Sequence, residues 1–261
     1  MTVAYEDLPP RRLGESGIEV FPLGMGCWAI GGPDTNLGLP MGWGTADDDA
    51  SLRGLVRAFE LGANLFDTAD VYGHGRSERL LGRLLREVPR ERVVVTSKVG
   101  YFAGTAPNAY SPLHMRHQLE QTLENLGTDY LDVYFLHNFH FGPGDEYLMP
   151  AVEQMRRFQT EGLVRAVGMR GPHRFAVERL TVAKGERADK YARFRRVFEV
   201  VRPQVLAVRY NALTPDTPQG GEDIFAFAAR HGAGRVDQQA IGAGPADRQV
   251  RPGLTSGVRP G

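Results

Sequence analysis

The 261-residue chain has a single cysteine, no surplus charge of either sign and no long apolar run. Each absence removes a class of protein. Cys27 alone can form neither an internal disulfide nor a cysteine-cluster metal site. Lysine plus arginine number 31, and so do aspartate plus glutamate. The chain therefore lacks the basic excess that neutralises a nucleic-acid backbone. No apolar stretch approaches the ~18 residues of a membrane span. The opening, MTVAYEDLPPRR, has no apolar segment of the kind a secretory leader carries. These features predict a soluble cytoplasmic protein without a nucleic-acid or membrane partner, and they leave its oligomeric state open. A dinucleotide fingerprint is missing as well: Gly24-x-Gly26 is followed by Ala29, where G-x-G-x-x-G requires its third glycine.

What is present is a rhythm. Arg11–Leu13 and Ile18–Val20 flank the turn residues Gly14-Glu15-Ser16-Gly17 and read as a hairpin. Pro22–Gly26 reads as a glycine-rich strand, followed by a loop from Gly31 to Gly44. Thr45-Ala46-Asp47-Asp48 resembles a capping box, with Leu52, Leu55, Val56 and Phe59 on one helix face. Further strands are expected at Asn64–Asp67, Val93–Lys98, Leu131–Leu136, Val164–Met169 and Val205–Tyr210. Helical periodicity lies between them, opening at Ser77-Glu78, Pro112, Met149 and Tyr191, and again at Glu222. Six repeats of strand and helix imply a parallel α/β sheet covered by helices. Without the dinucleotide fingerprint, a (β/α)8 barrel is preferred to a doubly wound sheet.

Barrels of this kind carry their chemistry at the C-terminal ends of the strands. The second strand ends at Asp67, with Tyr72 a few residues on. The third ends at Lys98, and the fourth leads into His137 and Asn138. Tyrosine is a weak acid, with an unperturbed pKa of about 10. An ammonium such as Lys98 lowers that value, and Asp67 keeps the lysine charged. His137 can polarise a carbonyl. Together they form a proton donor aimed at a carbonyl oxygen, with hydride supplied by a nicotinamide.

These residues resemble the aldo-keto reductase family. The matching text includes Leu23–Trp28, Asn64–Gly73, Gly75-x-Ser77-Glu78, Thr96–Val99, Leu123–Asp132, Leu136-His137 and Gly162–Gly168. The resemblance implies a (β/α)8 barrel with a hairpin across its base. It also implies NADPH-dependent reduction of aldehydes or ketones to alcohols. Asp67, Tyr72, Lys98 and His137 would form the catalytic tetrad. The cofactor would be contacted by Gly26, Cys27, Trp28, Asp67, Arg170, Arg209 and Tyr210, and a small carbonyl substrate by Trp28, Tyr72, Phe102 and Asn138. The chain departs from the family after Gly168. Met169, Arg170 and Gly171 follow where Ser-Asn is usual, and Ala207 and Arg209 precede Tyr210-Asn211. The two arginines either replace the usual amide contacts or pair with acidic neighbours. The charged insert Arg174–Arg196 reads as a solvated helical face.

The six strands end near Tyr210, so the barrel is expected to be incomplete. Residues 1–234 are assigned to it, and 235–261 to an irregular tail rich in turn-formers and arginine. Ala243–Pro252 admits a codon choice that, read one base later, spells Gln-Gly-Leu-Leu-Thr-Gly-Lys-Tyr-Asp, a family stretch. A frameshifted, truncated member is the corresponding expectation, decided by the coding DNA. Two alternatives to a working reductase follow: a nicotinamide-binding regulatory module with little turnover, or an inactive product.

Overall fold

The computed structural model describes residues 8–36, 39–40, 42–172, 190–210 and 222–238. A hairpin comes first, β1 (Arg11–Arg12) antiparallel to β2 (Glu19–Val20). Strand β3 (Met25–Gly26) follows, then a small ladder of β4 (Thr35–Asn36) and β5 (Leu39–Pro40). Helices and strands then alternate: α1 (Asp48–Glu60), β6 (Leu65–Asp67), α2 (Arg76–Leu85), β7 (Val94–Val99), α3 (Pro112–Leu126), β8 (Leu131–Leu136) and α4 (Leu148–Thr160). The series continues with β9 (Val164–Arg170), α5 (Lys190–Val201), β10 (Val205–Arg209), α6 (Ile224–Arg230) and β11 (Gly234–Gln238). Seven strands form one parallel sheet in the order β11-β10-β9-β8-β7-β6-β3.

Two-residue alternation divides each central strand between two cores. Val95, Tyr134, Leu136, Val167, Met169, Leu206 and Val208 face the helices in one cluster. Leu65, Val94, Val133, Phe135, Ala166, Val205, Ala207 and Val236 meet in another, on the opposite side of the same strands. Both faces are buried, as expected of parallel strands. The sheet is also curled. Gln238, at the end of β11, donates from Nε2 to Asp67 Oδ2 of β6 at 3.3 Å, although four strands lie between them in the sheet. A flat sheet spaces neighbouring strands by about 4.8 Å and could not bring these residues together. Among the described residues, no strand joins β3 to β11, so the barrel-like wall has an open seam there.

The hairpin plugs the base. Leu13, Ile18 and Val20 belong to the inner cluster, and Gly14 bridges to Ala233. Gly14 sits at φ +56°, and a Cβ there would lie 2.3 Å from the Gly232 carbonyl oxygen. Only glycine satisfies both conditions.

The structure corrects the sequence reading at several points. A seventh strand, β11, begins at Gly234 and runs four residues into the segment expected to be irregular. Only its Val236 is a buried apolar side chain, so it lacks the apolar run that marks the other strands. The first helix is capped by Asp47, which accepts from Ala50 N at 2.6 Å, rather than by a box built on Thr45. The helix expected to open at Ser77-Glu78 is α2, which starts one residue earlier, and both residues are buried on its inner face, where Ser77 Oγ donates to the Cys27 carbonyl at 2.7 Å. Of the insert expected to be a solvated face, residues 173–189 lie outside the described residues. Arg193 and Arg196 of α5 pair with Asp145, which ties the helix to the loop after β8. Residues 239–261 of the expected tail also lie outside the described residues. Among the described residues, no helix is long and apolar enough to cross a membrane.

Candidate active site

The alternation that builds the inner cluster also aims the polar residues. On β6, the inward series is Leu65 then Asp67, and on β7 it is Val94, Thr96, Lys98. On β8 it runs Val133, Phe135 and then His137, one residue beyond the strand. Ala166, Gly168 and Arg170 continue it on β9, and Val205, Ala207 and Arg209 on β10. Val236 and Gln238 complete it on β11. Apolar side chains fill the lower barrel, and each series ends in a polar residue at the C-terminal mouth.

Lys98 is the hub. It is only 2% exposed. Its Nζ donates to Asp67 Oδ2 at 2.9 Å and to the Thr68 carbonyl, and it lies 3.3 Å from the Tyr72 hydroxyl. Asp67 Oδ1 accepts from Thr96 Oγ1 at 2.6 Å, and Gln238 adds its bond to Oδ2. The carboxylate is therefore held by three donors from two strands, β7 and β11. Tyr72 reaches the cluster from the loop after β6. That loop is wound by the Asp70 carboxylate, which accepts from Val71 N at 2.7 Å, and by the Asp70 carbonyl, which accepts from Gly75 N at 3.0 Å. The buried His137 ring stands edge-on to Tyr72 at 6.2 Å and to Tyr101 at 4.6 Å.

The electrostatics differ from the sequence expectation at Tyr72. Loss of solvent around this half-buried phenol pushes its pKa up more than the Lys98 charge pulls it down, so the net shift is upward. For Lys98, burial is the largest influence and disfavours the ammonium. Asp67 and Tyr72 together outweigh it and hold the pKa above its ordinary value. Lys98 thus stays charged, and the Tyr72 hydroxyl keeps its proton at neutral pH. Behind the loop lies a second buried group. Burial, and then the charge of Glu78, push the Asp70 carboxyl up to about 7.

The structure brings Asp67, Tyr72, Lys98 and His137 together. Trp28 lies beside them, its ring 6.2 Å from Tyr72. Arg170 and Arg209 are half-buried at the mouth. Gly26 of β3 pairs with Asp67 of β6. Other expected site residues point elsewhere. The Cys27 side chain is packed in the outer cluster, and burial pushes its thiol up to about 12. Tyr210 stands edge-on to Phe225 of α6 at 4.7 Å. Phe102 packs on His74 at 4.8 Å. The Asn138 side chain is taken up by backbone: Nδ2 donates to the Gly100 carbonyl at 2.6 Å, and Oδ1 accepts from His140 N at 2.9 Å.

Three residues at the site escaped the sequence reading. Gln238 was missed because β11 was. Trp43, whose ring lies 5.0 Å from that of Trp28, sits in a glycine-rich loop without periodicity. Tyr101 follows β7 by two residues, and its proximity to a strand end is the one signal that marks it.

The chain is 32% identical over 168 residues to an NADH-specific methylglyoxal reductase of Escherichia coli K12, a match covering 60% of this chain and 50% of that protein. It is 29% identical over 163 residues to L-galactose dehydrogenase of Arabidopsis thaliana, covering 62% of this chain and 48% of that one. The chain thus spans about half the length of these curated relatives. Among solved structures, an aldo/keto reductase from Klebsiella pneumoniae in complex with NADP and acetate superposes with a TM-score of 0.58 at 26% identity, over 88% of this chain and 67% of that one. An aldo-keto reductase from Bacillus halodurans shares the fold, with a TM-score of 0.64 at 23% identity over 88% of this chain and 65% of that one. The aldo/keto reductase family matches residues 22–255, and the chain belongs to that family.

Proposed function

We propose that the chain is a nicotinamide-dependent carbonyl reductase, with NADPH as the cofactor and Tyr72 as the proton donor. The observation that carries this is the Lys98 ammonium, bonded to Asp67 and 3.3 Å from the Tyr72 hydroxyl, at a barrel mouth. The mouth fits a nicotinamide. Gly26 pairs with Asp67, and a Cβ added there would meet nothing within 4 Å, so open space adjoins the cluster. Trp28 and Tyr72 add aromatic faces for a flat ring. Gly26, Trp28 and Asp67 would hold the nicotinamide end. The NADP in the Klebsiella pneumoniae relative supports the choice of cofactor. The reduced cofactor, when bound, supplies hydride to the substrate carbonyl carbon.

The chain's own residues do the rest. Tyr72 carries a proton at neutral pH and releases it to the oxygen as charge develops there. Lys98 steadies the phenolate left behind, which matters more in a site with little water. Asp67 keeps that ammonium charged and in place, and His137 orients the carbonyl from the other side of Tyr72. Trp28 and Trp43 close one wall of the substrate space.

The test is NADPH binding to the purified chain by fluorescence titration, followed by aldehyde reduction with the unmodified chain and with Tyr72→Phe. NADPH should bind both. Tyr72→Phe should lower kcat by about 10²–10⁴, the range of a lost general acid. Absence of NADPH binding, or equal turnover by Tyr72→Phe, would overturn the proposal.

A further inference from the structure

Two features of the mouth go unused by the reduction chemistry: Arg170 and Arg209. They end the inward series on neighbouring strands. Arg170 pairs in register with Ala207, and Arg209 lies two residues further along β10, on the same face. Both follow inner-cluster positions, Ala166 on β9 and Ala207 on β10, so their guanidiniums rise from the barrel interior towards the mouth. Arg209 in turn pairs with Gln238, whose amide reaches Asp67. The arginines and the tetrad therefore share one rim. Arg170 is near enough to Tyr72 for its charge to oppose the upward push of burial on the phenol.

Donor chemistry narrows the ligand. A guanidinium offers five N–H donors and no acceptor. A nicotinamide carboxamide presents both a donor and an acceptor, so two arginines are a poor complement to it. A carboxylate accepts only, and its two oxygens match the guanidinium fork. Both arginines already have partners within the chain, so an arriving anion exchanges with them rather than filling a vacancy.

We propose that Arg170 and Arg209 form a carboxylate site beside Tyr72, and that the substrates are carbonyl compounds carrying a carboxylate close to the carbonyl, such as 2-oxo acids. The inference rests on the reductase reading only in that the bound carbonyl compound is reduced. The anion site itself is a binding property and can be tested without turnover. An anion at this rim has a second possible source, the diphosphate of the cofactor, and the experiment separates the two.

The probes are an acid and its neutral ester. Phenylglyoxylate and methyl phenylglyoxylate carry the same ketone, and mandelate and methyl mandelate are the matching alcohols. Calorimetric titration of the full chain, with and without NADPH, should show mandelate binding at least tenfold more tightly than its ester. Arg170→Gln and Arg209→Gln should each shrink that ratio to within about twofold. Arg170→Lys, which keeps charge but loses the fork, should fall between. Initial rates should show the same order for phenylglyoxylate over its ester. Equal binding of acid and ester by the unmodified chain would overturn the proposal without any variant. So would variants that weaken NADPH binding and leave the acid-to-ester ratio intact, because the arginines would then serve the cofactor. Arginine-dependent mandelate binding without reduction of either ketone would uphold the anion site and refute the reductase reading. Tyr72-dependent reduction with no preference for the acid would do the reverse.

Discussion

Replacing Asp70 by asparagine should stabilise the protein, although it removes a buried charge from the loop that carries Tyr72. Asp70 is 6% exposed, accepts from Val71 N and Gln118 Nε2, and faces the like charge of Glu78. Lys98 is the cation that acts on it, and the phenols of Tyr110 and Tyr134 feel its charge. Burial and Glu78 push its pKa from the ordinary 3.8 up to about 7. The folded chain therefore holds this proton more tightly than the unfolded chain does. Between pH 4 and 7 the native state binds more protons, so stability falls as pH rises through that window. At about 1.36 kcal/mol for each pH unit, the ionised group costs about 4 kcal/mol at pH 8. Asparagine keeps an acceptor for Val71 N but requires the Gln118 amide to turn over, at a cost of about 1 kcal/mol. The net gain at pH 8 is about 3 kcal/mol, or a rise in Tm of about 10 °C for a chain of this size. Urea unfolding at half-unit steps from pH 4 to 8 reads both the gain and the slope. If Asp70→Asn is no more stable at pH 8 and keeps the parental slope between pH 4 and 7, the carboxyl does not titrate near 7 and the reasoning fails.

Two further substitutions test the barrel interior. Lys98→Met should destabilise by about 3 kcal/mol or more, because Asp67 would keep a buried charge without its cation. The double variant Asp67→Asn/Lys98→Met should recover much of that loss in denaturant titration, and equal midpoints for the single and double variants would remove the argument. Gly168→Ala should cost about 1–3 kcal/mol, since a Cβ at this position would lie 2.3 Å from the Phe135 ring. A circular-dichroism melt unchanged from the parent would show that the ring moves aside freely.

How much of this was legible in the chain itself depends on which physical signal each residue left. Val93–Lys98 and Leu131–Leu136 are apolar, β-branched or aromatic runs, and the structure keeps them as β7 and β8 almost residue for residue. Once those runs are strands, the convergence of Asp67, Lys98 and His137 follows from position at strand ends. β11 gave no such signal. In Gly-Arg-Val-Asp-Gln, one buried valine is the only apolar member, and parallel pairing with β10 supplies what composition does not. Missing that strand meant missing Gln238, and with it the third donor to Asp67. The Tyr72 shift failed for a different reason. A lysine near a phenol was predictable, whereas the loss of solvent around that phenol is a property of packing and outweighs the charge. Asn138 illustrates the same limit from the other side. Its place after His137 suggested a substrate contact, but a polar side chain buried among carbonyls and amides is drawn first to those backbone groups. Sequence position identified Asp67, Lys98 and His137 at the strand ends and missed Gln238, Trp43 and Tyr101. Whether a polar side chain there stays available or mends the backbone was decided by burial, as it is at the buried Asn138.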